Sequence, residues 1–188
     1  MITENERAGI PSTTRLLMAL AFAAEKHRHQ RRKDAAASPY INHPIAVANT
    51  LAVEGRVTDE AILLAACLHD TVEDTQTTFE EIEETFGTEV SSLVRSVTDD
   101  KSLEKALRKQ LQIEHAAKSS DKAKQIKIAD KICNVRDITN SPPQDWSLKR
   151  RTEYLDWSQQ VVSGCRGVNL GLEQAFDDAI KQAREVLH

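Results

Sequence analysis

The chain is poor in cysteine and in long apolar runs, and each shortage excludes a class of protein. Its three cysteines, at positions 67, 133 and 165, form no CxxC pair, which suits reduced thiols better than a disulfide framework. No apolar stretch approaches the ~20 residues that cross a bilayer. The N-terminal stretch MITENERAGIPSTT lacks the basic and apolar regions of a signal peptide. We therefore expect a cytoplasmic protein that does not enter a membrane.

A strong charge of either sign is also missing. The 25 basic and 29 acidic residues leave a net charge of −4, too small to imply attraction to nucleic acid. With 188 residues, 40% of them hydrophobic and 29% charged, the chain has the length and composition of one globular domain. We predict a single domain over residues 1–188, with its core at 13–187, and leave the oligomeric state open.

Aromatic and β-branched alternation is scarce as well, so we predict an all-α fold. Ser12 or Thr13 is expected to cap the first helix and Thr58 the third, while Thr78 and Glu81 form a capping-box pattern for the fourth. The inner face of the first helix is predicted to be Leu16, Leu17, Leu20, Ala23 and Ala24. The predicted helices cover 13–29, 44–55, 58 into the run ILLAACL, 78–87, 89–98, 103–117, 121–138, 147–165 and 169–187.

The stretch CLHDTVEDT, at 67–75, places one histidine and three carboxylates at the end of an apolar helix. If the helix continues past this point, His69 and Glu73 lie four residues apart, as do Asp70 and Asp74, so all four share one surface patch. Three carboxylates this close repel one another unless a cation or a proton lies among them. The patch is therefore either a solvated acidic helix end or half of a metal site.

Two residues distant in sequence could supply the remaining ligands of such a metal site. His43 lies in YINHPIAV, where a polar loop meets a helix, and Asp130 lies in the apolar stretch IKIADKICNV, where an unpaired carboxylate is costly. Together with His69 and Asp70 they give two imidazoles and two carboxylates, a set that suits Mn²⁺, Fe²⁺ or Zn²⁺. Spacing alone leaves the alternative open that Asp130 is bonded to an arginine or a helix terminus.

Six blocks of the sequence, in order, resemble those of a known family. They are AAEKHRHQRRKD, SPYINHPIAVA, CLHDTVEDT, FGTEVSSLVRSVTDDKSL, IKIADKICNVRDI and EYLDWSQQVV. The chain resembles the HD-type hydrolase domain of the RelA/SpoT group, and within it the small single-domain alarmone hydrolases of the MESH1 type. The resemblance implies an all-α HD-domain helical bundle that forms a single compact domain.

The resemblance also implies a metal and a reaction. It implies one Mn²⁺ per chain, with Zn²⁺ or Fe²⁺ as alternatives, bound by His43, His69, Asp70 and Asp130. The implied reaction ends the stringent-response signal by removing the 3′-pyrophosphate of guanosine 3′,5′-bis(diphosphate), ppGpp, to give GDP; the homologous reaction of pppGpp is left open. Glu73 and Asp74 serve as general base and acid, a role worth about 10²–10⁴-fold in rate. Which of the two is the base stays open.

Five residues match family motifs that bind the nucleotide: Arg32, Lys33, Lys105, Asn134 and Tyr154. An exposed helix lysine and a half-buried core tyrosine are ordinary alternatives for Lys105 and Tyr154. We expect Trp146 and Trp157 to be packing residues and Arg136 to pair with an internal carboxylate.

Two other functions stay open at this stage. The substrate of the same chemistry could be NADPH or another nucleotide, or the domain could bind the alarmone as a sensor without cleaving it. The presence of Glu73 and Asp74 argues against a sensor, because a module that only binds needs no acid and base pair.

Overall fold

Helices make up most of the part of the chain that this computed structural model describes, residues 9–187. The helices in this part are α1 Ser12–Lys26, α2 Asn42–Val53, α3 Glu60–Leu68, α4 Thr71–Asp74, α5 Phe79–Phe86, α6 Thr88–Val97, α7 Lys105–Ala116, α8 Asp121–Asn140, α9 Leu148–Ser163 and α10 Leu170–Leu187. Extended pairing within the same range is confined to one antiparallel bridge between Arg31 and Pro39. The prediction of an all-α fold is confirmed. The predictions about a signal peptide and about the ends of the domain fall partly on residues 1–8 and 188, outside the described range.

The long helix α8 occupies the centre of the domain. It packs against α2, α3, α6, α9 and α10, and its Ile126, Ile128 and Ile132 are fully buried. Helix α3, with the nearly all-apolar sequence EAILLAACL, packs against α1, α2, α6 and α8. Because α3 and α8 are both enclosed by other helices, any polar side chain that leaves them towards the core needs a partner there.

Two predicted helix caps are wrong. Asp59, rather than Thr58, caps α3, since its Oδ1 accepts a hydrogen bond of 3.2 Å from the backbone N–H of Ile62. Aspartate is at least as good a capping residue as threonine, so the choice between neighbours depends on which one lies at the last extended position. At the start of α1, neither Ser12 nor Thr13 makes a capping hydrogen bond, and the cap position is occupied by Pro11.

The predicted start and end of α5 are confirmed. The hydroxyl of Thr78 accepts a hydrogen bond of 3.2 Å from the backbone N–H of Glu81. Gly87 ends the helix with φ of 98°, a left-handed conformation that favours glycine. Helix α6 follows at once, and the two helices pack against each other.

The inner face of α1 is only partly as predicted. Ala23 is buried, but Leu17 is 62% exposed and Ala24 is exposed too. Ala19 and Ala23 form the fully buried positions, and alanine is small enough to let α1 approach α3 closely. The leucines of α1 led to the predicted apolar face, but its fully buried positions are the alanines.

The three cysteines are free and buried, in agreement with the sequence. Among residues 9–187, no helix combines the length and the apolar character that a membrane span requires.

The C-terminal end of α2 is fixed by two other helices. Glu54, which follows the last residue of α2, binds Arg136 of α8 through two hydrogen bonds of 2.6 and 2.8 Å. This confirms that Arg136 pairs with a carboxylate. On the other side, Gly171 of α10 lies so close to the Glu54 carbonyl that an added Cβ would overlap the carbonyl oxygen. Glu54 therefore joins α2 to both α8 and α10.

We expect Gly171→Ala to lower the free energy of unfolding by about 1–3 kcal/mol, because the new methyl group must push α10 away from the end of α2. Gln174→Ala, on the exposed side of the same helix, should change it by less than about 0.5 kcal/mol. Urea denaturation of both variants checks this, and equal stabilities would show that the close approach is not a constraint.

Candidate active site

The helix that carries the motif does not run unbroken through it. Helix α3 ends at Leu68, and His69 and Asp70 form the junction with the single turn α4. At this junction the Thr71 hydroxyl donates a hydrogen bond of 2.6 Å to the Leu68 carbonyl. Both junction residues keep right-handed helical dihedral angles, and the Asp74 N–H still donates to the Asp70 carbonyl at 2.8 Å. The helix is therefore interrupted after Leu68, but the helical spacing of the side chains is kept across the junction.

Four of the predicted side chains meet in one cluster beside α8. The ligand atoms of His43, His69 and Asp130 lie within 4.8 Å of one another. His43 Nε2 is 3.1 Å from Asp130 Oδ1, and His69 Nε2 is 3.1 Å from Asp70 Oδ2. Both histidines are buried, at 4% and 5% exposure. Residues from α2, the α3–α4 junction and α8 are therefore brought together as the sequence predicted.

The cluster has the properties of a site for a divalent metal. His69 Nδ1 is 2.9 Å from the Ala66 carbonyl, a contact in which the nitrogen must donate, so Nε2 is the nitrogen that becomes available to a cation when it loses its proton. That Nε2 is buried and has no hydrogen-bond partner, although it faces carboxylate oxygens of Asp70 and Asp130. A histidine held in this way through its other nitrogen is the usual arrangement of a metal ligand. The donor set and the unpartnered nitrogen both fit a divalent cation.

Neighbouring side chains hold the two carboxylates in place. The Tyr40 hydroxyl donates to Asp70 Oδ2 at 2.7 Å. On Asp130, the Lys131 ammonium group binds Oδ2 at 2.7 Å and the Asn134 amide donates to Oδ1 at 2.6 Å. The alternative that Asp130 is neutralised by an arginine is not what the structure shows, since its cation is the adjacent lysine.

The pKa values of the cluster are displaced by burial and by mutual attraction. Burial raises the pKa of Asp70, but the nearby His69 and His43 outweigh it and lower that pKa far below its usual range. Burial likewise opposes ionisation of Asp130, yet Lys131 and the two histidines hold its pKa well below normal. For His69, burial lowers the pKa, and the two aspartates raise it to about 9. Without a metal the cluster thus holds a proton that an incoming cation must displace.

Glu73 lies between the cluster and solvent. Its Oε2 accepts a hydrogen bond of 3.0 Å from the Asp99 N–H, and its side chain is 20% exposed. Burial is the largest influence that raises the pKa of Glu73, repulsion by Asp70, Asp99 and Asp74 adds to it, and the result is about 7. A carboxyl group with a pKa near neutrality can both accept and donate a proton at physiological pH.

Asp74 has a different environment from Glu73. Its carboxylate is bound by the half-exposed ammonium group of Lys101, and its backbone carbonyl accepts a hydrogen bond from the Gln30 amide. The two acidic residues of the motif are therefore not equivalent, a distinction that spacing alone left open.

Two cavities meet at the cluster. A narrow one, of about 180 Å³, contains the metal cluster and extends between α6, α7 and α8. A wider one, of about 760 Å³, has the size of small-molecule sites in proteins. Residues that line both are Arg32, Tyr40, His43, Glu73 and Asn134. A ligand in the wider cavity can therefore reach the cluster.

Four of the five predicted nucleotide-binding residues line the wider cavity: Arg32, Lys33, Asn134 and Tyr154. Arg32 is bound to Asp137 at 2.5 Å and to Asn134 at 3.3 Å. Lys105, the first residue of α7, lines neither cavity. Its pKa is lowered by partial burial and then by repulsion from Arg150, Lys33 and Arg108, so it belongs to a cationic group beside the wider cavity.

Several functional residues were missed by the sequence reasoning. Tyr40 and Lys131 stand next to motif residues, and both could have been found from the need of a buried carboxylate for a partner. Asp137 lies one turn beyond Asn134, where it meets Arg32. Trp146, which we expected to be a packing residue, lines the wider cavity, whereas Trp157 donates its indole N–H to the Lys109 carbonyl at 3.1 Å.

Comparison with known proteins agrees with this geometry. A family model described as "HD domain" matches residues 19–155. The chain is 54% identical to the Danio rerio protein named guanosine-3′,5′-bis(diphosphate) 3′-pyrophosphohydrolase MESH1, over 87% of this chain and 91% of the relative. The Homo sapiens protein of the same name is 53% identical, over 89% and 93%.

The chain belongs to the HD domain family, in its MESH1 group. A solved structure of a metazoan orthologue of SpoT, described as hydrolysing ppGpp, matches the MESH1-type fold of this chain with a TM-score of 0.87 and 52% identity. The match covers 89% of this chain and 94% of that one. The similarity to MESH1 proteins thus spans nearly the whole domain, including every helix that contributes to the cluster.

We expect Tyr40→Phe to weaken the binding of a divalent metal by about 10- to 100-fold, because Asp70 loses the hydrogen bond that orients it. Tyr154→Phe is the matched control, since its hydroxyl contacts none of the four cluster residues. Competition titration with a metal-sensitive dye measures both. An unchanged affinity in Tyr40→Phe would mean that packing alone positions Asp70.

We expect Glu73→Gln to stabilise the metal-free protein at pH 8. The raised pKa of Glu73 means that ionising it costs folding free energy; the cost is absent below the unfolded pKa near 4.5 and complete above 7. Glutamine keeps the acceptor for Asp99 without the charge, so the gain should be about 1–3 kcal/mol at pH 8 and vanish towards pH 4. Denaturation with a chelator at both pH values checks this, and a variant no more stable at pH 8 would contradict it.

Proposed function

We propose that this protein hydrolyses the 3′-pyrophosphate of ppGpp, giving GDP and pyrophosphate, with Mn²⁺ as its metal. The observation that carries the proposal is the buried, unpartnered His69 Nε2 among His43, Asp70 and Asp130, at the point where a nucleotide-sized cavity reaches a carboxyl group with a pKa near 7. The reaction is the one that the names of its MESH1 relatives state.

The residues that would hold the metal are His43, His69, Asp70 and Asp130. Two imidazoles and two carboxylates are a borderline set that suits Mn²⁺, with Fe²⁺ and Zn²⁺ as the alternatives. When bound, the ion supplies positive charge that polarises the phosphoryl group under attack. The protein contributes the fixed positions of the ligands, through Tyr40 on Asp70 and through Lys131 and Asn134 on Asp130.

Glu73 is the group that we assign to accept the proton of the attacking water. The water oxygen forms a bond to the phosphorus next to the ribose 3′-oxygen, the bond from that oxygen to phosphorus breaks, and the ribose oxygen takes up a proton. Glu73 lines both cavities and therefore lies beside the path between nucleoside and metal cluster. Glu73, with a pKa near 7, can pass this proton on to the ribose oxygen. Asp74, which is paired with Lys101, is assigned to orient this end of the site.

The wider cavity suits a guanine nucleotide that carries four phosphate groups. Arg32 lies 5.6 Å from the Tyr40 ring centroid, so its planar guanidinium has one face on an aromatic ring and the other available for a base. Trp146 and Tyr154, whose rings are 5.6 Å apart, add an aromatic wall. Lys33 lines the cavity, and Lys105 lies near it as a charge for the 5′-phosphates.

We further propose that the protein acts in the cytoplasm on this small-molecule substrate alone. The three free, buried thiols fit a reducing compartment.

We expect ppGpp to be converted to GDP and pyrophosphate only when Mn²⁺ is present, and Asp70→Ala or excess chelator to abolish the reaction. The measurement is the release of pyrophosphate from ppGpp and pppGpp and of phosphate from NADPH, each with and without Mn²⁺. Asp178→Ala, an exposed carboxylate of α10, is the matched control and should keep the wild-type rate.

The outcomes separate the candidates. Release of phosphate from NADPH at a higher kcat/KM than the turnover of ppGpp would replace the proposed substrate. Tight binding of ppGpp with no product at any pH between 6 and 9 would make the protein a sensor and overturn the proposal.

A further inference from the structure

The narrow cavity extends beyond the metal cluster on the side away from the nucleotide. Its far part, which we call the inner end, is lined by Val97, Asp99, Gln112 and Lys127. None of these four lines the wider cavity. The inner end therefore lies outside the wider cavity, and its side chains have no role in the proposed reaction so far.

One face of α8 leads from the nucleotide cavity into this inner end. Lys127, Asp130, Lys131 and Asn134 are spaced i, i+3, i+4 and i+7, so they lie on the same side of the helix. At ~1.5 Å per residue, the face is about 10 Å long between its first and last member. Asn134 lines both cavities, whereas Lys127 lines only the narrow one. A chain of phosphoryl groups that starts at Asn134 and crosses Asp130 therefore continues towards Lys127.

Lys127 is a cation without an assigned counter-ion. Its ammonium group makes no hydrogen bond and no ion pair with any residue in 9–187. Burial lowers the pKa of Lys127 and repulsion from Lys131 lowers it further, while Asp99 and Asp130 attract the ammonium group more weakly and without forming an ion pair. Lys131, by contrast, is bound to Asp130 and lies 4.8 Å from the Trp157 ring centroid. Keeping a mostly buried, unpaired ammonium group costs stability, and an anionic ligand removes that cost.

The inner end has a single carboxylate, Asp99, and its hydrogen-bond partner is a neutral amide. The Gln112 amide donates a hydrogen bond to Asp99, and the Asp99 backbone N–H donates to Glu73. Asp99 is therefore held by α7 and by the catalytic segment, beyond ion-pair distance of Lys127. The positive charge on α8 is left to whatever enters from the cluster.

We propose that the inner end is a subsite for the terminal phosphoryl group of the substrate's 3′-diphosphate, with Lys127 as its cation. This inference rests on the proposed function and deepens it. Lys127 forms and breaks no covalent bond; it binds the end of the group that is transferred to water and so fixes the phosphorus under attack beside the cluster. The subsite makes the enzyme prefer two phosphates at the 3′ position over one.

The test is Lys127→Met assayed with two nucleotides that differ by that terminal group. With Mn²⁺ present, kcat/KM for ppGpp should fall by about 10- to 100-fold, the range for losing a hydrogen bond to a charged group. The affinity for guanosine 5′-diphosphate 3′-monophosphate, measured as an inhibition constant, should fall by a factor at least ten times smaller. This nucleotide lacks the terminal phosphoryl group and does not reach the inner end. Lys127→Arg, which keeps the charge, should restore part of the ppGpp activity.

Two controls keep the result readable. Lys124→Met, on the same helix but lining neither cavity, should behave as wild type with both nucleotides. Binding of inorganic pyrophosphate to the Mn²⁺-loaded protein, measured by calorimetry, should weaken in Lys127→Met while its melting temperature stays within a few degrees.

The outcomes distinguish the subsite from the proposed function. Equal losses with both nucleotides, or no loss with ppGpp, would overturn the subsite while leaving the hydrolase intact. A wild-type protein that does not turn over ppGpp would overturn the proposed function, and the pyrophosphate titration would still decide whether Lys127 binds a diphosphate.

Discussion

The placement of one carboxylate in the middle of the central helix α8 determines much of this structure. Asp130 lies on α8, whose neighbouring isoleucines are fully buried, so its charge must be compensated inside the protein. Three side chains compensate it: Lys131 and Asn134 from the same helix, and His43 from α2. The packing of α2 and α3 on α8 therefore compensates the charge of Asp130 as well as burying the apolar core.

The site stores free energy in charges that the protein alone does not satisfy. His69 takes up a proton, Glu73 resists ionisation, and the Nε2 of His69 has no partner. The ionisation of Glu73 costs stability in the metal-free protein, whereas the protonation of His69, whose pKa is raised, stabilises it and must be given up when a cation binds. Such costs are typical of binding and catalytic sites, where the residue that would best stabilise the fold would bind or catalyse less well.

Sequence reasoning went furthest where a residue type has few alternatives. Three signals predicted the elements that meet in the cluster, because buried charges must find partners. They are a histidine beside a proline-initiated helix, an HD pair after an apolar run, and an aspartate within another apolar run. It failed to choose between neighbouring residues as the cap of a helix, as with Asp59 and Thr58. It also failed where the contact between helices is made by small residues, as on α1. It also missed Asp137, because its contact depends on Arg32, which the fold brings opposite to it. Lys105, which was predicted to bind the nucleotide, lies beside the wider cavity rather than in its wall.

The last helix shows how far from a cavity a requirement for its geometry can lie. No side chain within 170–187 lines either cavity, yet Gly171 rests against the end of α2, whose other end carries His43. A stiff helix transmits a tilt at one end as a displacement at the other, over about 15 Å for ten residues. Variants of α10 that leave every ligand in place can therefore impair the centre by misaligning it. The effect of a substitution in this segment on the site is then better judged by whether it shifts α10 against α2 than by its distance from the ligands.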